Sequence, residues 1–331
     1  RDQPRSRGLG DVYKRQDNDD MNNQSLLGLF NEFIAEKEAV GRVSETLKSY
    51  RMAFERFSDY FGERADNSGD IVHSMFIEWI NAMREEGLAA ASINHNLSCM
   101  RTFMYWCMNS DKRYIPYFKI NLIRVQEQLP KDYSLEDVKK LLKRPERKAS
   151  FTEWRSWAIC NFVMGTAART GTMVEIQMRD IDLKDGKVNY RHTKNKHVQI
   201  ANLPPQLIRA LKDYINTWRA DAELEDYLFC NFSNEQLSKG ALKAAYAKYA
   251  HSRGVQQTNI HGLRHTFARE WYLNGGDVVQ LSKILGHSSL AMSEHYMNIY
   301  ADSARDRFNE CNPLERLTRG NGRKGVRRND D

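Results

Sequence analysis

The sequence predicts a mostly α-helical protein with a small β-sheet, arranged as two units. Apolar residues recur at intervals of three and four along most of the chain after Gln24, which is the spacing of one helix face. A β-rich segment at 181–203 predicts a short hairpin or sheet. A stretch that contains two prolines, 113–132, indicates a linker between a helical unit at 21–112 and a second unit at 133–310.

Four helices are predicted in the first unit. The first has an apolar face formed by Leu26, Leu27, Phe30, Phe33 and Ile34. Ser44 is the predicted N-cap of the second helix, since a serine oxygen accepts a hydrogen bond from the first turn. The third helix is expected at about 71–83, and the fourth begins near Ala90. The Phe and Met side chains on these faces are interpreted as core.

The second unit is predicted to begin with a helix after Ser134, because S-L-E-D precedes an apolar-periodic run. At the other end, 311–331 is predicted to be a basic tail, and within 316–331 six Lys/Arg stand against two Asp. Residues 1–20 show no apolar periodicity. They are expected to be a leader that is foreign to the fold, with Met21 as the natural start.

Composition narrows the class of protein. A chain of 331 residues is long enough for two domains with their own cores. It contains no apolar run near 18 residues, so no membrane-spanning helix is expected. The five cysteines include no Cys-x-x-Cys pair, which argues against a disulfide framework or a cysteine zinc site and favours the cytoplasm. The net charge of +7 suits a polyanionic partner.

Short segments of the second unit carry the chemically informative side chains. In chain order these are Arg169, Lys194, His261, Arg264, His287 and Tyr296. His261 and Arg264 form H-x-x-R, His287 stands in L-G-H, and Tyr296 follows nine residues later. In order and spacing these residues resemble the site of the tyrosine recombinase (phage integrase) family, including the integrases of phages and conjugative transposons. The resemblance is weaker over the first unit.

The resemblance implies a SAM-like core-binding domain followed by a catalytic domain. It implies an enzyme that cuts and rejoins duplex DNA at specific sites through a 3′-phosphotyrosine, for integration or excision of a mobile element. The expected assembly is a homo-oligomer, with a dimer on each site and a tetramer in synapsis. An accessory DNA-bending protein or an excisionase is a further expected partner, and association with a prokaryotic nucleoid is expected during activity. Neither a cofactor nor a metal ion is expected.

The residue types suit attack on a phosphodiester. The five-coordinate phosphorus carries extra negative charge, which fixed cations can stabilise without a metal ion. Arg169 and Arg264 each present a planar fork that matches two phosphate oxygens. His261 lies one helical turn before Arg264, so the two share a face, and its imidazole can bind the phosphate or accept a proton. His287 follows Gly286 at an expected helix start, where backbone N–H groups favour anions.

Two of these assignments have close rivals in the sequence. Tyr300 lies one helical turn after Tyr296, and the nine-residue interval from His287 selects Tyr296 as the nucleophile. Lys194 is assigned as the general acid for the leaving 5′-oxygen on an expected hairpin tip. Lys196, two residues away, suits a solvated turn lysine. His265 and His295 are interpreted as structural.

One position departs from the family pattern. The family usually has an acidic residue three positions after the first arginine, whereas this chain has Thr172 there and Glu175 three residues further on. That acid orients neighbouring groups and takes no part in bond making. Its replacement leaves open how Arg169 is held.

Two other functions remain open from the sequence. A type IB topoisomerase resembles this family in its catalytic residues and would relax supercoils without recombining two sites. A catalytically inactive DNA-binding regulator is the second alternative, and a covalent protein–DNA adduct would exclude it. Resolution of chromosomes or plasmids is a related role within recombination.

Overall fold

The structure is a computed structural model that describes residues 23–109, 111, 114–125, 131–191 and 199–286. The chain divides into two compact units, with the boundary between Glu127 and Gln128. That boundary falls inside the expected linker. Outside the described residues lie the expected leader and basic tail, together with Lys194, His287 and Tyr296.

The first unit contains the four predicted helices. They are α1 (Leu26–Ala39), α2 (Ser44–Phe61), α3 (His73–Glu85) and α4 (Ala90–Asn109). Phenylalanines from three of them meet in the core: the Phe30 and Phe54 rings stack at 3.9 Å, and the Phe103 ring meets Phe30 edge-on at 5.2 Å. The prediction that the aromatic stripes form the core is therefore confirmed.

Two local predictions in this unit are wrong. Leu27 is 58% exposed, and Leu29 is buried in its place. Leu26, Leu29, Phe30 and Phe33 follow the helical period, whereas Leu27 is turned about 100° from Leu26 and faces solvent. The N-cap of α2 is Val43, which has extended backbone and makes no side-chain cap, and Ser44 is the first helical residue.

The beginning of the expected linker is part of the first unit. Tyr114, Ile115 and Ile120 are buried in its core. The Asn94 side chain also exchanges two hydrogen bonds of 2.9 Å with the backbone of Ile123. The first part of the expected linker is therefore packed against the first unit, because its apolar side chains are removed from water.

The second unit combines helices with a three-stranded antiparallel sheet. Its elements are α5 (Leu135–Leu142), α6 (Phe151–Thr166), α7 (Thr170–Met173), β1 (Ile181–Asp182), β2 (Lys187–Tyr190), β3 (Gln199–Asn202), α8 (Pro205–Trp218), α9 (Lys239–Ser252), α10 (Ile260–Leu273) and α11 (Val278–Leu285). Ser134 caps α5 as predicted, accepting a hydrogen bond from the backbone N–H of Asp137. The mostly helical fold with a small sheet is confirmed.

The central helix α6 positions the residues of the candidate site. Helices α5, α8, α9 and α10 all pack against it, and most of its residues are buried. Its C-terminal end leads directly to Arg169, and its neighbour α10 carries His261 and Arg264. Residues about 95 positions apart in sequence are thereby brought together by packing around a single helix.

None of the helices in the described part of the chain is both long and apolar enough to cross a membrane.

Candidate active site

Arg169 lies in the turn between α6 and α7. Ala167, just before it, has a φ of 54°, a left-handed conformation that turns the chain out of α6. Arg169 is the N-cap of α7, and its Nη2 atom donates a 2.9 Å hydrogen bond to the carbonyl oxygen of Gly286. The arginine is half-buried, and desolvation lowers its pKa. The ordinary pKa of arginine is so high that the group nevertheless stays charged.

Arg264 is buried and donates hydrogen bonds to two separate turns of the backbone. It is 5% exposed and lies on α10. Its Nη1 atom donates to the Ala167 carbonyl at 2.6 Å, and its Nη2 atom donates to the Leu285 carbonyl at 2.5 Å. Arg264 and Arg169 therefore bind consecutive carbonyl oxygens at the C-terminal end of α11. This is the negative end of the helix dipole, where cations are favoured.

His261 stands one turn before Arg264 on α10, as the three-residue spacing predicted. Its pKa is lowered to about 4, first by desolvation and then by the positive charges of His265, Arg264, Arg169 and Lys243. Because the residue as a whole is exposed, we assign the larger weight to these cations than to burial. The imidazole is therefore neutral near pH 7 and able to accept a proton.

Helix α9 adds two lysines to the positive charge around this site. Lys243 is among the charges that lower the pKa of His261. One turn earlier, the Lys239 Cε atom lies 3.4 Å from the position that a Cβ atom would take on Gly171 in α7. The two lysines and the two arginines thus give one positively charged region, which is suited to a phosphate backbone.

The start of α10 is fixed by its N-cap and by contacts with residues far away in sequence. Asn259 caps the helix, and its side chain accepts a 3.1 Å hydrogen bond from the His261 N–H. A Cβ atom on Gly262 would lie 2.6 Å from the Lys131 carbonyl oxygen, so only glycine allows this close approach. The Tyr133 N–H donates to the Thr266 hydroxyl at 2.7 Å. These contacts hold His261 and Arg264 in place.

Three of the six candidate residues are thus brought together, namely Arg169, His261 and Arg264. Lys194 belongs to the connection between β2 and β3, and His287 follows Gly286, but both lie outside the described residues, as does Tyr296. Gly286 itself is the left-handed C-cap of α11, so the chain reaches His287 from the end of a helix. The helix start expected at His287 lies outside the described residues.

Sequence reasoning missed three residues of this region, namely Gln199, Lys239 and Lys243. Gln199, at the start of β3, donates from Nε2 to the carbonyl oxygens of Lys283 at 3.0 Å and Ile284 at 3.4 Å. Lys243 was not singled out either. Neither Gln199 nor Lys243 stands in a recognisable sequence motif. The four-residue interval between Lys239 and Lys243 indicates only that these two lysines share one helix face.

An apolar groove opens beside the same elements. It has a volume of about 550 Å³ and is lined among others by Met164, Ile200, Phe267, Trp271 and Ile284. Ile200 is 61% exposed, which is high for a large apolar side chain next to other apolar groups.

As for metal ions, the described ranges contain no group of three or more His, Cys, Asp or Glu side chains placed to hold one.

Both units match models of known protein families. The Phage integrase family model matches residues 133–303, and the model of the phage integrase N-terminal SAM-like domain matches residues 30–110. A tyrosine recombinase XerC of Thermodesulfovibrio yellowstonii is 26% identical over 284 residues, covering 83% of this chain and 93% of that protein.

Two solved structures share the fold. The Tn1549 transposon integrase in complex with transposon right end DNA aligns with a TM-score of 0.65 and 18% identity, covering 87% of this chain and 99% of that one. A lambda integrase dimer bound to a COC′ core site aligns with a TM-score of 0.65 and 17% identity, covering 87% and 81%. At these identities the likeness establishes the fold.

Proposed function

This chain belongs to the phage integrase family, and we propose that Tyr296 attacks a DNA phosphodiester held by Arg169 and Arg264. The broader activity follows from the family and its relatives: the protein is a site-specific tyrosine recombinase, an enzyme that breaks and rejoins DNA strands. The observation that carries the proposal is the pair of arginines bound to the consecutive carbonyls of Leu285 and Gly286.

This arrangement preorganises positive charge at one point. Each arginine uses one N–H of its guanidinium group to hold the end of α11, which fixes the plane of that group before DNA arrives. Donors that are already oriented stabilise the charge that develops on the non-bridging oxygens without reorganising during the reaction. His287 follows Gly286 directly in the sequence, and we propose that it also takes part in binding the phosphate.

The proposed reaction balances without a co-reactant. The Tyr296 oxygen bonds to phosphorus while the bond from phosphorus to the 5′-oxygen breaks, giving a 3′-phosphotyrosine and a free 5′-hydroxyl. The phenol proton passes to the neutral imidazole of His261, whose pKa the arriving phosphate raises through its negative charge. Lys194 supplies the proton to the leaving 5′-oxygen. The DNA phosphodiester is replaced by a phosphotyrosine ester and no bond is hydrolysed. The strands can therefore be rejoined without the use of ATP.

The test is a covalent adduct on a DNA substrate with a nick next to the cleavage point, which traps the intermediate. We expect an adduct that survives denaturant, and mass spectrometry of its peptides should place the nucleotide on Tyr296. Tyr296→Phe keeps the ring and removes the hydroxyl, so it should bind DNA and form no adduct, whereas the matched variant Tyr300→Phe should form one. An adduct from Tyr296→Phe would refute the assignment.

Supercoiled plasmids with one or two sites, used together with the nicked substrate, separate the rival functions. A topoisomerase would relax supercoiled DNA with one site and would not exchange strands between two sites. A regulator without activity would bind DNA and form no adduct. Recombination between two sites carried on one plasmid is the expected result.

For the biological role we propose integration and excision of a mobile element. The likeness in fold to the integrase of a transposon supports this choice, although relatives in sequence are named XerC and XerD. Sequencing of the DNA trapped on the protein decides between the roles, since element ends and a chromosomal resolution site are different sequences. We place this activity in the cytoplasm of a prokaryotic cell, on the nucleoid.

We also propose that copies of the chain assemble on DNA as a dimer on each site and a tetramer in synapsis. The apolar groove at Ile200 and Ile284 is the expected contact, and its occupant is residues 301–317 of a neighbouring copy. That segment contains Phe308, Leu314 and Leu317. An accessory DNA-bending protein or an excisionase would act on this assembly.

A further inference from the structure

A chain of hydrogen bonds between two tyrosine hydroxyls reaches the start of α10. The Tyr133 hydroxyl donates to the carbonyl oxygens of Gln257 at 2.9 Å and Asn259 at 3.1 Å. Because carbonyl oxygens only accept, Tyr133 is the donor there, and the Tyr246 hydroxyl on α9 must be the donor in its 2.7 Å bond with Tyr133. The direction of the chain is therefore fixed, from Tyr246 through Tyr133 to the backbone at the start of α10.

Both of these phenols are removed from water. Tyr133 and Tyr246 are each 1% exposed. Burial raises the pKa of Tyr133 to about 12 and also raises the pKa of Tyr246, so both hydroxyls keep their protons at neutral pH. A buried hydroxyl has no water molecule to replace a lost protein partner, so these bonds hold one geometry.

The backbone of Tyr133 is bound to α10 as well. Its N–H donates to the Thr266 hydroxyl at 2.7 Å, and its carbonyl oxygen accepts a 2.9 Å hydrogen bond from Arg269 Nη2. The Tyr133 ring lies against the first turn of the helix, since a Cβ atom on Gly262 would be 2.8 Å from its Cε2 atom. Tyr133 thus contacts the chain both before and after the turn that carries His261.

Asn259 connects the tyrosine chain to the candidate site. Its carbonyl oxygen accepts the hydrogen bond from Tyr133, and its side chain caps α10 by accepting a 3.1 Å hydrogen bond from the His261 N–H. An N-cap satisfies a backbone donor that has no partner inside the helix, so it stabilises the first turn. The position of His261 therefore depends on how firmly the Tyr133 hydroxyl holds Asn259.

We propose that Tyr133 is a positioning residue for His261, acting through Asn259. The hydroxyl fixes the start of α10 and with it the direction in which the imidazole points. This inference rests on the proposed function for its consequence in catalysis, namely that His261 accepts the phenol proton. The position of His261 itself is a property of the DNA-free protein and is measured without the reaction.

The test uses Tyr133→Phe, which keeps the buried ring and removes the hydroxyl. The first measurement is an NMR titration of His261 in the DNA-free protein. Its pKa of about 4 results from desolvation and from neighbouring positive charges, those of His265, Arg264, Arg169 and Lys243. A loosened helix start moves the imidazole into water and away from these charges, so we expect its pKa to rise towards the ordinary value near 6.5.

The second measurement is single-turnover cleavage of DNA by the same variant. We expect Tyr133→Phe to cleave about 10-fold more slowly than wild type, as for a catalytic group displaced by less than about 1 Å. Thermal unfolding and DNA binding are measured alongside to confirm that the variant is folded.

Tyr249→Phe is the matched control. Tyr249 lies on α9, is 4% exposed, and donates a 2.8 Å hydrogen bond from its hydroxyl to the Leu141 carbonyl. The variant therefore also removes a buried bond between a phenol and a backbone carbonyl, but at the end of α5. We expect a comparable loss of thermal stability, with the titration of His261 and the cleavage rate unchanged.

A second variant separates positioning from the cost of a buried donor. Tyr133→Phe leaves the Tyr246 hydroxyl buried without its acceptor, which destabilises the fold. The double variant Tyr133→Phe/Tyr246→Phe removes both hydroxyls, so it avoids this cost and replaces the single variant if that one does not fold. It should show the same rise in the pKa of His261.

Two results would overturn the inference. One is an unchanged titration of His261 in the folded single or double variant, whatever its cleavage rate. The other is an equal rise in Tyr249→Phe, which would attribute the change to a general loss of stability. A raised pKa with wild-type cleavage would support the positioning and contradict the proposed role of His261 as proton acceptor, so the two failures are distinguishable.

Discussion

The Nη2 atom of Arg169 donates a 2.9 Å hydrogen bond to the carbonyl oxygen of Gly286, which lies 117 residues further along the chain. This contact answers a question that the sequence leaves open, namely how Arg169 is held when Thr172 replaces the usual acidic residue. A carbonyl at the C-terminal end of a helix carries partial negative charge, so it can orient a guanidinium group as an acid would.

We predict that Gly286→Ala slows cleavage while leaving DNA binding nearly unchanged. Gly286 has a φ of 58°, which disfavours any side chain, and its added Cβ would lie 3.2 Å from the Arg169 Nη1 atom. The guanidinium must move by a few tenths of an ångström to admit this Cβ. Because a misplacement of about 1 Å costs roughly 10²-fold in rate, we expect a loss of about 10-fold or less. The check is single-turnover cleavage alongside a gel-shift titration.

The matched control is Gly254→Ala. Gly254 has a φ of 70°, so alanine is strained there as well, but its added Cβ would meet no atom within 4 Å. It should lose stability and keep its cleavage rate. Equal slowing of cleavage in the two variants would show that backbone strain, and not displacement of Arg169, is responsible.

A second prediction concerns the titration of His261 in the DNA-free protein. Its pKa of about 4 lies below the ordinary value near 6.5, so between these values the unfolded chain binds a proton that the folded chain does not. The contribution of His261 to stability is therefore fully present above about pH 6.5 and is lost as the pH falls towards 4. An NMR titration of the imidazole gives the pKa directly.

Lys243→Gln should raise the pKa of His261, since it removes one of the positive charges that lower it. Lys248→Gln removes an exposed lysine of the same helix that is not among those charges and should leave the titration unchanged. A midpoint of 6.5 or above in the unmodified, DNA-free protein would contradict the prediction.

A third prediction separates leaving-group protonation from phosphate binding. Lys194→Ala should cleave ordinary DNA more slowly by a factor of about 10²–10⁴, the usual contribution of a general acid. It should approach wild type on DNA with a 5′-bridging sulfur. Arg169→Ala and Arg264→Ala should stay slow on both substrates, because their charge acts on the non-bridging oxygens.

Lys196→Ala serves as the comparison on the same connection and should cleave ordinary DNA at the normal rate. Rescue of the arginine variants by sulfur would show that the division of roles is wrong. Slow cleavage by Lys196→Ala that sulfur restores would move the general acid from Lys194 to Lys196.

The fourth prediction addresses assembly. Truncation after Tyr300 should weaken cooperative binding to paired sites more than binding to a single site, because it removes the apolar residues proposed to fill the neighbour's groove. Truncation after Leu317 keeps those residues and removes most of the basic tail. It should lower affinity for both DNAs in a salt-dependent way, since each neutralised phosphate releases counterions. Equal loss on both DNAs after the first truncation would indicate a role within one copy.

The sequence by itself determined the four helices of the first unit, the helix after Ser134, the two-unit division and the choice of candidate residues. Helix faces follow from a local period, and motifs such as H-x-x-R place His261 and Arg264 on one face through spacing alone. The same reasoning misassigned Leu27, which lies at the edge of the apolar face of α1 and is 58% exposed. It assigned 113–132 to a linker, and no period reveals that Tyr114 and Ile120 within it are buried.

Only the tertiary structure decided how the site is held together. Arg264 binds a carbonyl 21 residues away, Gln199 one 84 residues away, and Arg169 one 117 residues away. All three acceptors are backbone oxygens, which every residue has, so no side-chain pattern marks them. What selects them is the packing of α10 and β3 around the end of α11, and packing depends on contacts that sequence spacing does not record.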